Sequence, residues 1–152
     1  MMGDMRLGIA DHFGWAIAVA ATDDHVVVDR RRVELVEAGI TPAPIHYDSA
    51  ALDLDELEAL LTTARASVGR ATSAALDELS AACGSPITSI SLRSLPGDFP
   101  TDLDVIRRPP WEARADAVMY RRVLVEEATR RGWEVHFYEA KSVIRRASEI
   151  LG

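Results

Sequence analysis

Apolar and polar positions change period several times along the chain, and those changes divide it into elements. Met5–Asp11 (MRLGIAD) is short and apolar and reads as a buried strand, followed by a tight turn at His12-Phe13-Gly14. Trp15–Thr22 reads as a second strand in which Trp15, Ile17 and Val19 alternate with alanines, a run suited to burial on both faces. Asp23-Asp24 signals a turn, and residues 26–36 form a long third strand with Asp29, Arg31, Val33 and Leu35 on one parity. Three strands joined by short turns predict an antiparallel meander. Residues 39–47, with Pro42 and Pro44, carry no period and are expected to form a loop.

The period then becomes helical. Leu57, Leu60, Leu61, Ala64, Val68, Ala71, Leu76 and Leu79 make an apolar stripe and predict a helix over residues 54–82. Asp53 is its expected N-cap, acidic residues follow in the first turn, and Gly84 is its stop. Gly69 in mid-helix points to a kink or to close packing. Residues 87–92 (ITSISL) read as a fourth strand, and residues 95–110 as an irregular loop of the length that often carries function. A second helix is expected over residues 111–132, with Ala113, Ala117, Tyr120, Leu124 and Ala128 forming a small-residue face. Residues 133–138 read as a fifth strand, and Val143, Ile144, Ala147, Ile150 and Leu151 as a short amphipathic helix.

Composition narrows the class. A chain of 152 residues, 48% hydrophobic and 27% charged, fits one globular domain over residues 1–152 with a core of its own. No apolar run approaches the ~18 residues of a membrane span, and no secretory leader pattern opens the chain. The single cysteine, Cys83, excludes an internal disulfide framework, so the cytoplasm is the expected location. Net charge is −7, but unevenly spread. Residues 1–104 hold 7 Arg against 17 Asp and Glu, whereas residues 105–152 hold 9 Arg and 1 Lys against 7 acids. A basic C-terminal third attracts phosphates, although solvated helix faces give the same pattern.

The order β-β-β-α-β-α-β-α argues for an α/β domain with a mixed five-stranded sheet and helices on its faces. Gly8-Ile9-Ala10-Asp11 in the first strand and Gly14-Trp15-Ala16 in the second resemble the Gly-Ile-Asp and Gly-Trp-Ala of Holliday-junction resolvases and their relatives. With the element order, this makes the chain resemble the RNase H-like superfamily, its resolvase-like branch in particular. The chain is also similar to a group of uncharacterised bacterial proteins with the pattern Arg-Pro-Pro…Arg-Ala-Asp…Met-Tyr-Arg, found here at residues 108–121. Proteins of that group run on into a further helix, which this chain either lacks or would carry after Gly152.

The superfamily resemblance implies a divalent-metal-dependent nuclease or resolvase-like phosphodiesterase acting on nucleic acid. Such enzymes hold Mg²⁺ or Mn²⁺ between carboxylates from the first strand, the fourth strand and a late helix. Asp11 is the first candidate, as metal ligand and catalytic residue, though it falls one position past the superfamily's place. A one-residue shift turns a strand side chain to the other face unless a bulge restores it. Asp11 also fits a turn-capping aspartate that bonds its own backbone. The fourth strand ends in Ser91-Leu92-Arg93, where an acid is expected, so Asp98 in the next loop is the substitute ligand. Glu139, after the fifth strand, is the third candidate, as ligand and catalytic residue, with Glu149 beyond it.

Other residues admit two readings each. His12 is a general base or a turn residue. Cys83 is a packing residue before it is a nucleophile. The histidines show no zinc-ligand spacing. Asp116 and Tyr120, four apart on one helix face, form a polar cluster with Arg114 or else a surface ion pair and a core tyrosine. Arg114, Arg121 and Lys141 are the candidate nucleic-acid contacts, Lys141 lying past the C-terminal end of a strand, where open α/β sheets place ligands. Three functional readings follow: a metal-dependent nuclease; a catalytically inactive RNase H-like module that binds nucleic acid or protein; and a homodimer formed through an exposed strand edge or the last helix.

Overall fold

A computed structural model describes residues 3–139 of the chain. Lys141, Glu149 and the helix expected over residues 143–151 lie outside the described residues. Five strands form one sheet: β1 (Met5–Asp11), β2 (Trp15–Thr22), β3 (Val27–Glu34), β4 (Ile87–Arg93) and β5 (Glu134–Tyr138), in the order β3-β2-β1-β4-β5. β1 is central. It pairs antiparallel with β2 and parallel with β4; β3 is antiparallel to β2, and β5 is parallel to β4. The chain is thus an α/β domain with a mixed five-stranded sheet.

The meander forms as its pattern predicts, but β2 is buried differently. Ala16, Ala18 and Ala20 are fully enclosed, whereas Trp15, Ile17 and Val19 are half-buried on the other face. The alanines leave room for the helical layer to approach the sheet closely, and the bulky residues cover the face that layer does not reach. Met5, Leu7 and Ile9 of β1, Val33 and the following Leu35, and Ile87, Ile90 and Leu92 of β4 complete the sheet's share of the core.

The helix α1 (Leu54–Cys83) starts where its capping signals place it. The Asp53 carboxylate accepts the Glu56 amide at 2.8 Å, and Glu56 in return accepts the Asp53 amide at 3.1 Å. This reciprocal box is worth roughly 1 kcal/mol over an uncapped start. Leu57, Ala64, Val68, Ala75, Leu76 and Leu79 are its buried face. Gly69 does not serve close packing: α1 runs through it unbroken, and a Cβ built there meets nothing within 4 Å. Cys83 packs half-buried at the core's edge, where burial pushes its thiol pKa up, as suits a packing residue.

Two loop expectations are refined. Residues 44–51 are not irregular but form a π-helical turn (Pro44–Asp48) and a 3₁₀ turn (Ser49–Ala51). The loop before the last helix contains a short helix, α2 (Leu103–Ile106), capped by the Asp102 carboxylate. The helix expected over residues 111–132 is broken. Trp111–Ala113 is a 3₁₀ turn, Arg114 sits at φ −118° and ψ −7°, and α3 runs from Ala115 to Arg130. The break leaves Ala113 exposed and puts Ala115, Val118, Tyr120, Val123, Leu124 and Ala128 inside. α1 and α3 pack on each other and bury their apolar faces in the cluster that holds the inner face of the sheet. Among the described residues no helix is long and apolar enough to cross a membrane.

Candidate nucleic-acid interface

The parallel strands β1, β4 and β5 end at one edge of the sheet, and α3 crosses above that edge. Asp11 is the last residue of β1, and its parity is that of Leu7 and Ile9, so it faces the helices. The β1–β2 ladder is regular through Asp11↔Ala16, and the register shift in the β1–β4 ladder lies at Met5/Arg6, far from it. No bulge acts on Asp11.

The Asp11 carboxylate does not cap its own turn. That turn closes through the His12 amide, which donates to the Trp15 carbonyl at 2.8 Å. Instead, Arg121 Nε of α3 donates to both Asp11 oxygens, at 3.3 and 3.2 Å, and Arg121 Nη1 donates to the Ser94 carbonyl at 3.2 Å. The Asp11 side chain is 2% exposed and that of Arg121 12%. Ser94 is held in turn: its amide and hydroxyl both donate to the Tyr138 carbonyl, at 2.8 and 3.0 Å. The Tyr138 phenol donates to the Ile9 carbonyl at 2.8 Å. Burial, reinforced by the Asp11 charge, pushes the Tyr138 pKa up, so the phenol keeps the proton it donates.

Beside this pair an open groove of about 600 Å³ is lined by Phe13, Arg93, Ser94, Leu95, Pro96, Gly97, Arg114, Arg121 and Glu139, among others. Three arginines face two carboxylates in the groove and at its base, an excess of positive charge within a chain of net charge −7. Arg93 and Arg114 are exposed, and no ion pair holds either of them among the described residues. Arg114 lies 6.0 Å from the Trp111 ring, within cation–π range. The groove therefore brings together Arg114, Arg121 and Glu139 of the expected site residues. Asp98 stands exposed in the turn after Gly97.

Among the described residues the donor set does not fit a pair of divalent cations. Both Asp11 oxygens are taken by a guanidinium, a charge already compensated. Among the described residues no group of three His, Cys, Asp or Glu side chains is arranged to hold a metal ion. Arg93 stands at the end of β4, where the resemblance implies an acid.

Tyr120 is the core tyrosine that one reading expects, whereas Asp116 forms neither a surface ion pair nor a cluster with Arg114. Asp116 is buried in the first turn of α3, and its two oxygens accept the Ile45 and His46 amides at 3.1 and 2.9 Å. The Tyr120 phenol, also buried, donates to the Pro42 carbonyl at 2.5 Å. Burial pushes both pKa values up. Together they fasten residues 42–46 to α3 and so place His46 and Tyr47 beside Phe13, with ring centroids 5.7 and 6.4 Å from it. Arg114 takes no part in this cluster.

A second concavity, of about 160 Å³, lies between α1, α2 and α3; its charged lining residues are Arg65, Arg122 and Asp116, whose oxygens are engaged by amides, and the rest of its wall is apolar. The sequence pattern singles out neither Phe13 nor Ser94, nor Arg93 as a positive group of the groove. The signal for Arg93 was present, as the wrong charge for a metal ligand at a strand end. Compared with protein-family models and with curated proteins, the chain matches none.

Proposed function

We propose that this chain is an RNase H-like module that binds nucleic acid through the groove at the ends of β1, β4 and β5, without a resident Mg²⁺ or Mn²⁺ and without phosphodiesterase turnover. The observation that carries this reading is the Asp11–Arg121 pair, in which an arginine stands where a nuclease of this class needs a cation. The element order and mixed sheet agree with what the resemblance implies of the fold. Arg93 and Arg114 supply accessible charge for phosphate oxygens, and sequence-independent contacts of that kind make affinity fall with salt.

The test is fluorescence anisotropy of labelled DNA and RNA over a salt series, with millimolar Mg²⁺ or Mn²⁺ present and the products run on a gel. Binding that weakens with salt, with intact substrate, supports the module. Cleavage that is lost in Asp11→Asn selects the metal-dependent nuclease instead.

A second reading has its own observation. β3 is an edge of the sheet, and Val26, Val27 and Val28 at its start are 56%, 59% and 48% exposed. An apolar edge of this kind pairs readily with another strand, and a second copy is the partner we propose. Sedimentation analysis of wild type and Val27→Lys tests it: a concentration-dependent dimer should be lost in the variant, and a monomer at every concentration rejects it.

A further inference from the structure

The groove has aromatic as well as basic walls, and their arrangement bears on which form of nucleic acid fits. Phe13 stands in the β1–β2 turn and lines the groove. Its ring lies 5.7 Å from His46, tilted by 44°, and 6.4 Å from Tyr47, nearly edge-on at 84°; His46 and Tyr47 are themselves 5.0 Å apart. The three rings thus form one cluster at the groove wall, in which Tyr47 is 64% exposed. Asp116 and Tyr120 tie the backbone that carries His46 and Tyr47 to α3.

We infer that the groove accepts single-stranded rather than duplex nucleic acid, with bases stacked on Phe13 and Tyr47 and backbone phosphates on Arg93 and Arg114. This inference rests on the nucleic-acid reading above and narrows it. In a duplex the base faces are covered by their neighbours, so a protein ring reaches them only when the strand is unpaired. A basic groove flanked by rings is how sequence-tolerant single-strand binding is built. Phosphates alone would be served equally well by either form; the placement of Phe13 among the groove's lining residues is what favours the single strand.

The experiment compares a fluorescent oligothymidine with a blunt duplex of mixed sequence, each titrated with wild type, Phe13→Leu, Tyr47→Ala and the double variant Arg93→Gln/Arg114→Gln. Phe13→Leu keeps bulk in the turn, and Tyr47 is exposed, so circular dichroism should report folded protein in each case. The single strand should bind about tenfold or more tightly than the duplex, and each aromatic variant should lose roughly tenfold on the single strand with little change on the duplex. The arginine variant should weaken both and reduce the salt slope on the single strand by about 0.7 for each phosphate it no longer neutralises. Equal affinity for the two forms, or aromatic variants that bind like wild type while the arginine variant does not, overturns the single-strand inference and leaves the nucleic-acid reading standing. Absence of binding to both forms overturns the two together.

Discussion

The carboxylate of Asp11 at the end of β1 and the guanidinium of Arg121 in α3 meet at 3.2 Å, 110 residues apart in the chain, with 2% and 12% of their side chains exposed. Sheet and helix layer are thus joined by a charge pair at the end of the sheet where the groove opens. Removing two charges from water costs several kcal/mol per ion, which the pair recovers only through close geometry and further hydrogen bonds. Here those further bonds exist, because Arg121 also donates to Ser94, and Ser94 is tied to β5. The consequence for function is direct: an anion entering the groove meets Arg121 already neutralised, so among the described residues that line the groove Arg93 and Arg114 are the positive charges left to it.

The pair predicts a characteristic mutational pattern. Arg121→Met leaves a carboxylate nearly enclosed without a partner and should lower unfolding free energy by about 3–5 kcal/mol. Asp11→Leu should be similarly damaging, since it leaves the guanidinium unpaired. The double variant Asp11→Leu/Arg121→Met removes both charges and should return to within about 1 kcal/mol of wild type. Ser94 loses its donor in both variants that lack Arg121, so that loss cancels from the cycle. Denaturant unfolding of the four proteins measures the coupling. Additive losses would mean that the two groups do not share one enclosed site.

Much of the fold was legible because period and punctuation agreed. Asp53 and Gly84 bracket α1 within a residue of its observed ends, and the alternation of Asp29, Arg31, Val33 and Leu35 gives the inward face of β3. What escaped was set by contacts distant in the chain. Residues 44–48 have no periodic pattern, and their turn is fixed by Asp116, 70 residues later. The same carboxylate looked like a surface charge because its partners are backbone amides, which carry no sequence signature. Asp11 was recognisable as the chemical residue of β1, but its partner in α3 was one arginine among many. A cluster of rings assembled from residues 13, 46 and 47 has no linear motif at all.

Asp116 should matter for stability and for its pH dependence. Asp116→Asn offers one acceptor where two amides need two and sets an NH₂ group against the second amide, and should lose about 1–3 kcal/mol at neutral pH. Burial raises the native pKa of this carboxyl, against the stabilising pull of the His46 and Ile45 amides. Below about pH 4 it is protonated in the folded and unfolded chain alike, and its contribution is fully present. As pH rises through the raised native value, the unfolded chain has already released its proton, so stability falls across that window. The stability of wild type minus that of Asp116→Asn, followed by chemical denaturation from about pH 3 to about pH 7, should therefore decline as pH rises and then level off. A difference that grows with pH would show the two amide bonds prevailing over burial.

Gly69→Ala should stabilise the protein. The residue lies inside α1, which runs through it unbroken, and an added Cβ meets nothing within 4 Å. Replacing it restricts the unfolded chain and improves helix propensity at no steric cost, a gain of about 0.5–1 kcal/mol. A higher denaturation midpoint at unchanged slope would confirm it; a loss would mean that α1 needs this position bare for a neighbour outside the described residues.

Gly14→Ala should do the opposite, and should reach the binding groove as well. Gly14 sits at φ +86° in the β1–β2 turn, and a Cβ there would lie 3.0 Å from the Pro42 Cβ and 3.1 Å from the Val36 Cγ1. The left-handed conformation costs an alanine about 1–2 kcal/mol, and the contacts add overpacking strain, so the loss should be about 2 kcal/mol or more. The strain cannot be relieved by a flexible side chain, because Pro42 is rigid and its carbonyl is held by Tyr120. Relief requires the turn and residues 42–47 to separate, and that movement pulls Phe13 away from His46 and Tyr47. At a temperature where the variant remains folded by circular dichroism, its affinity for oligothymidine should therefore fall with that of Phe13→Leu, while its weak duplex binding stays near wild type. A variant that is destabilised yet binds the single strand normally would separate the turn from the stacking surface and place the aromatic contact elsewhere in the groove.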